Sequence, residues 1–368
     1  VIESNLIQPA PNHPLRAFTL KGLAFVLLLL TVNEVIDEIM PYYWGNPWYG
    51  AKIMHLESLP VSDRPNTYFL GSSRVYRQIN PAVFDSTFQK LTGKQITSFN
   101  LGAVATFAPQ TYYLYDKFLE SDFADNTDYF FMELMNVTQI TDDVLFQERN
   151  TYWHDFEEFW FSYKAVMDNP NIDKTERNEI LLSYGKSFLG QLFNVGHYRN
   201  QVSEWNYYNE FYLGPNKDGY LSLDYDVIHN QDVGFTEYLT KRMEDLQKDS
   251  SALQSRAIVN TRNLGILDEG FLYDIHPERI HYMLKKSKEK GIHLIFFIIP
   301  NRTSVTQVEL FNTIPFEHRL ELVDPNDYAE FYQLENSFDA GHLNHQGATL
   351  FTQALVKEFL DIGVALTP

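Results

Sequence analysis

The chain has 368 residues, 44% of them hydrophobic, which excludes a disordered protein and leaves room for a sizeable core. With 48 acidic against 29 basic side chains, the formal charge of −19 disfavours a nucleic-acid or anionic-lipid binder that works through bulk charge. Cysteine is absent, and with it any disulfide framework, thiolate zinc site or cysteine nucleophile; this suits an exported protein without requiring export.

Residues 17–32 read AFTLKGLAFVLLLLTV, and acidic residues resume only at Glu34. A bilayer core takes about 20 helical residues, so a transmembrane anchor is expected over 17–40. Arg16 and Lys21 on its N-terminal side put the leader, residues 1–16, in the cytoplasm and the large domain outside it, in the periplasm. A cleavable signal peptide is the alternative, opposed by the long polar leader and by the lack of a small-x-small cleavage site before Pro41. A buried core helix is the plainer one. Residues 41–65 are expected as a linker, and their aromatic start, PYYWGNPWY over 41–49, fits either a membrane interface or a packed loop.

Strand and helix then alternate. Short apolar strands are expected over 66–70 (NTYFL), 96–101 (ITSFNL) and 128–134 (DYFFMEL), with helices over 81–91 and 109–120 between them. From about 138 to 274 the chain turns long, polar and aromatic, with helical spacing over 151–167, 174–193 and 235–257, which reads as a mainly helical insertion. The first rhythm returns with a helix over 277–290 and the run IHLIFFII over 292–299, the mark of a central strand buried on both faces. A short strand over 320–323 and an amphipathic helix over 346–360 follow. The pattern predicts an α/β fold with a central parallel sheet over 66–368, interrupted by the insertion.

Two distant segments carry the chemistry. Gly71-Ser72-Ser73-Arg74 puts a serine where an apolar strand turns toward a helix, the edge at which α/β sheets bind ligands. Asp339-Ala340-Gly341-His342 puts a carboxylate three residues before an imidazole. Together they supply a nucleophile, a general base and a group to orient that base. Taken singly, each has a plainer reading: a glycine turn, a helix cap, a loop histidine. Arg74, Asn301 and Arg302 also fall at the ligand edge and are candidate substrate contacts, with structural hydrogen bonds or a polar loop as the alternatives. Glu133 at a strand end reads as an acid satisfied by a backbone donor. His154, His197 and His229 lack metal-ligand spacing, so no metal is assigned.

These segments resemble the SGNH hydrolase superfamily, also called GDSL-like, and in particular its membrane-anchored members of the D-alanyl-transfer and alginate-acetylation kind. Gly71-Ser72-Ser73 is similar to the first block, with Ser72 where GDSL enzymes have aspartate. Asn100-Leu101-Gly102-Ala103-Val104-Ala105 resembles the second block, and Leu134-Met135-Asn136-Val137 the third, without its glycine and aspartate. Asp339 to His342 matches the last block, DxxH. The likeness covers about 66–137 and 277–362 and leaves the insertion unexplained.

The resemblance implies a three-layer α/β/α fold with Ser73 as nucleophile, His342 as base and Asp339 as its support. It implies an oxyanion hole from the Ser73 N–H, Asn136 and Ala105, with Gly102 the nearby alternative to Ala105. The expected activity is a serine esterase or O-acyltransferase acting, without a cofactor, on acyl esters of a cell-surface glycan. Such members often act beside a multi-pass membrane acyltransferase, which is the expected partner. The other expectation is a catalytically degenerate SGNH-like domain that serves as a binding or scaffold subunit of a membrane complex, favoured by the departures at Ser72, Ala105, Leu134 and Val137.

Overall fold

A computed structural model of the protein describes residues 14–39, 41–135, 151–168, 173–193, 208–265 and 275–363. Helix α1, Pro14–Ile39, contains the apolar run. Its segment Leu15–Val35 spans 21 residues at mean hydropathy 1.9, and its apolar side chains are largely exposed, whereas Asn33 near its end is buried. At 1.5 Å per residue that is roughly 31 Å, long and apolar enough to cross a membrane. The hydroxyls of Thr19 and Thr31 donate back to the carbonyls of Leu15 and Leu27, so neither adds an unpaired polar group to this surface.

The core is a five-stranded, wholly parallel sheet of β1 (Thr67–Leu70), β2 (Ser98–Asn100), β3 (Tyr129–Glu133), β4 (His293–Phe297) and β5 (Arg319–Leu320), in the order β2-β1-β3-β4-β5. The strands read as unbroken apolar runs because both faces are covered. On one face Tyr68, Leu70, Phe130, Met132, Leu294 and Phe296 pack beneath α2 (Pro47–Ser58), α5 (Gln110–Glu120), α11 (Ile275–Glu289) and α12 (Val305–Thr313). On the other, Phe69, Phe131, Ile295 and Phe297 pack beneath α3 (Ser73–Gln78), α4 (Pro81–Thr92) and α13 (His345–Asp361). Burying each such side chain stabilises by about 1.5–3 kcal/mol relative to exposure. The chain is therefore an α/β protein with helices on both faces of a parallel sheet.

The described part of the insertion is mainly helical, as expected: α6 (Phe156–Asp168), α7 (Lys174–Leu192), α8 (Leu223–His229), α9 (Val233–Lys248) and α10 (Ser251–Leu264). The single helix expected over 235–257 is in fact α9 and α10. The break falls at Asp249-Ser250, where the Asp249 carboxylate accepts the Ser251 N–H at 2.9 Å, a local bond that competes with helix continuation.

Residues 41–65 also differ from the expected linker. Asn46 caps α2, accepting the Tyr49 N–H, and Pro47 sits in its first turn. Tyr49, Ile53 and Leu56 are wholly buried, with Tyr42, Tyr43, Trp44 and Trp48 packed against the same cluster, so the aromatic stretch belongs to the core. The segment before α13 is a tight antiparallel pair, β6 (Ser337–Asp339) and β7 (His342–Leu343), with Asp339 opposite His342.

Candidate active site

From β1 the chain runs through α3 and α4 to β2 on one side, then through α5 to β3 on the other. The order in which strands are added thus reverses between β1 and β3, and the crevice beyond their C-terminal ends is where such sheets take ligands. Ser73 sits there as the first residue of α3. Gly71 must be glycine: a β-carbon would stand 2.3 Å from Val75 Cγ2 and 2.7 Å from Glu133. Ser72 is extended, and its Oγ accepts the Arg74 N–H at 3.2 Å, the capping bond that an aspartate would make in its place. Glu133, at the end of β3, accepts the Ser72 N–H at 2.8 Å and, through its other oxygen, Arg74 Nε at 3.0 Å and Nη2 at 2.9 Å. Glu133 and Arg74 therefore clamp the turn that presents Ser73.

Asn100 fixes the same turn from β2. Its side-chain nitrogen donates to the carbonyls of Val75 and Ile79, each at 2.7 Å, and its oxygen accepts the Gly102 N–H at 2.8 Å. The loop after Gly102 is pinned by the wholly buried Lys52, whose Nζ donates to the carbonyls of Gly102 at 2.5 Å and Gly219 at 2.7 Å, and by Asn46, which donates to Thr106 Oγ1. Burial, then the charge of Arg77, push the Lys52 ammonium well below its ordinary range, against Asp218.

The hairpin of β6 and β7 brings the second segment to the first. His342 Nε2 lies 3.0 Å from Ser73 Oγ, and its Nδ1 lies 3.1 and 3.2 Å from the two carboxylate oxygens of Asp339. An ionised carboxylate only accepts, so Nδ1 carries the proton and the Nε2 lone pair faces the serine hydroxyl. Asp339 Oδ1 also accepts the N–H groups of Gly341 at 2.7 Å and His342 at 3.0 Å. Arg242 of α9 donates to Asp339 Oδ2 at 2.6 Å. Arg256 of α10 donates to the carbonyls of Ala340 and Phe331, holding the tip of the hairpin. Burial pushes the Asp339 carboxyl up, but His342, Arg242 and the Gly341 N–H outweigh it and hold it below its ordinary range. Burial lowers His342, Asp339 opposes, and Arg242 and Arg74 add to the lowering, so its free-base form is favoured.

The expected oxyanion donors fare differently. The Ser73 N–H, at the first position of α3, has no intrahelical partner. Gly102 is not available, because its N–H is taken by Asn100; its glycine serves packing, since a β-carbon would stand 2.5 Å from the Tyr76 nitrogen. Ala105 has a left-handed backbone, φ 52°, and its N–H has no acceptor among the described residues. Asn136 lies outside the described residues. Asn301 and Arg302 fall on the loop after β4, where the Asn301 carbonyl accepts Asn260 Nδ2; among the described residues neither side chain hydrogen-bonds Ser73, Asp339 or His342.

Beside α3 opens a cavity of about 640 Å³, lined by Trp48, Tyr76, Phe211, Tyr212 and Phe235 together with Asn209, Asn230 and the buried Arg77–Asp226 ion pair. Tyr76 is three residues along α3 from Ser73, roughly 4.5 Å of helix rise. Among the described residues no three histidines or carboxylates are grouped to hold a metal ion. Sequence reasoning missed Arg242, Arg256 and Lys52, which have no local motif and reach the site only through the packing of α2, α9 and α10. Comparison with protein-family models, curated proteins and solved structures gives no match, so the site stands on its geometry.

Proposed function

We propose that the protein is a serine esterase or O-acyltransferase of SGNH type, working by covalent acyl transfer. The observation that carries this is the hydrogen-bonded line from Ser73 through His342 to Asp339 at the ligand edge of the sheet. Ser73 Oγ attacks the carbonyl carbon of an ester while its proton passes to His342 Nε2. The tetrahedral oxyanion is held by the Ser73 N–H, with Ala105 and Asn136 as the further donors. Its collapse breaks the ester C–O bond, and the departing alkoxide takes the proton from Nε2. Water or a second hydroxyl then attacks acyl-Ser73, giving its proton to His342 Nε2; the acyl–Oγ bond breaks and Ser73 Oγ takes that proton back, completing hydrolysis or transfer.

An acyl ester of a cell-surface glycan is the substrate class. The cavity beside α3, lined by Tyr76 and Arg77 of that helix and not by the triad itself, supports it: aromatic faces and side-chain amides suit the alternating apolar and hydroxyl surface of a sugar. The exposed apolar helix α1 supports a single-pass anchor with the domain on the extracytoplasmic, periplasmic side, beside a multi-pass membrane acyltransferase. Turnover of an aryl acetate ester by the purified full chain tests the chemistry. Ser73→Ala and His342→Ala are each expected to lower kcat by about 10³-fold or more. Unchanged turnover in Ser73→Ala contradicts the proposal. The second reading, a degenerate binding or scaffold subunit, is favoured by the loss of Gly102 as an oxyanion donor; folded wild type without esterase turnover supports it.

A further inference from the structure

Arg242 comes from α9, within the insertion, and reaches over the triad carboxylate. Its Nη2 lies 2.6 Å from Asp339 Oδ2 and 3.3 Å from His342 Nδ1. Both nitrogens are donors once Nδ1 is protonated, so they do not bond each other but converge on one carboxylate. Asp339 Oδ1 is meanwhile taken by two backbone N–H groups of its own hairpin. The arginine thus fixes the free edge of the carboxylate and sets a permanent positive charge against the ring that must become positive during catalysis. The carboxylate end of the ion pair is buried, the Asp339 side chain being 4% exposed, while Arg242 reaches it from the surface at 31% exposed.

The charged groups facing His342 come from four elements: Asp339 on its own hairpin, Arg74 of α3, Arg242 of α9, and Arg256 of α10 behind the Asp339 loop. Arg74 is compensated by Glu133, and Arg256 binds carbonyls, so Arg242 is the cation set directly against the histidine–aspartate pair. We propose that Arg242 is a positioning residue that ties the helical insertion to the triad, locking Asp339 in place and setting the acid limit below which the site stops working. The consequence is a division of labour: α3 and the β6–β7 hairpin supply nucleophile and base, and the insertion sets the pH range over which the base is free.

This inference rests on the esterase reading, and its test separates the two. In the purified full chain, the rate of reaction with a fluorophosphonate probe is followed from pH 5 to 9 for wild type, Arg242→Gln and Arg242→Lys. The His342 imidazole is titrated in parallel by NMR with ¹³C-labelled histidine, its signal identified by its loss in His342→Gln. Removing the cation is expected to raise the acid midpoint in both measurements by ~1 pH unit, the effect of a charge at this range, while Arg242→Lys stays with wild type. A midpoint unmoved in Arg242→Gln, with only a uniform fall in rate, overturns the proposal and leaves Arg242 a structural contact. A folded wild type that never reacts overturns the esterase reading instead, and the titration then decides for or against Arg242 alone.

Discussion

At the scale of single residues, the site depends on groups that are fully committed. Asn100 is buried and spends both ends of its amide, two hydrogen bonds on the carbonyls of α3 and one on the Gly102 N–H. Leaving three buried polar groups unpaired costs about 3 kcal/mol or more, so Asn100→Ala is expected to lower the unfolding midpoint in denaturant strongly, with Ser73 reactivity falling alongside. A loss below about 1 kcal/mol would show that water replaces the amide there. Ser73, Asp339 and His342 were legible because a strand end, a glycine turn and a DxxH spacing are local marks. Gly102 was open to misreading, because whether its N–H is free depends on the direction of the Asn100 side chain, which no spacing encodes.

At the scale of elements, one buried cluster docks the insertion onto the sheet layer. Arg279 of α11 holds Asp116 of α5 and Glu158 of α6 through the same nitrogen, each at 2.5 Å. Those two carboxylates share one guanidinium nitrogen, Glu157 lies 3.6 Å from another, and Glu158 Oε2 has no donor among the described residues. Burial, opposed by Arg279, lifts the Glu158 carboxyl to about 8, and burial lifts Asp116 as well. An acid whose folded value lies above its unfolded one binds a proton that the unfolded chain has lost, so this group favours folding least at high pH. Stability is expected to fall as pH rises from about 4.5 to 8, and Glu158→Gln to flatten that slope; equal slopes in denaturant melts at pH 6 and 8.5 would count against it. The strands were readable because burial on two faces writes an unbroken apolar run. The division of α9 from α10 was not, because the helical spacing continues across Asp249 and only its capping bond marks the stop.

At the scale of the whole molecule, the strand order places the end of β1 at the reversal point of the sheet, so one geometry explains why Ser73, the proposed nucleophile, follows that strand and Glu133 ends its neighbour. The alternation of strand and helix made this architecture legible, whereas the role of the insertion came only from tertiary contacts such as that of Arg242 with Asp339. The proposed orientation of α1 predicts that protease added to intact spheroplasts digests the domain; protection until the membrane is opened would reverse it. The central claim is that Ser73 is a nucleophile activated by His342. Its most direct measurement is mass-spectrometric mapping of a fluorophosphonate adduct on the purified full chain. The adduct is expected on Ser73 in wild type and lost in both Ser73→Ala and His342→Ala. A folded wild type with no adduct, or with one on another residue, would contradict it.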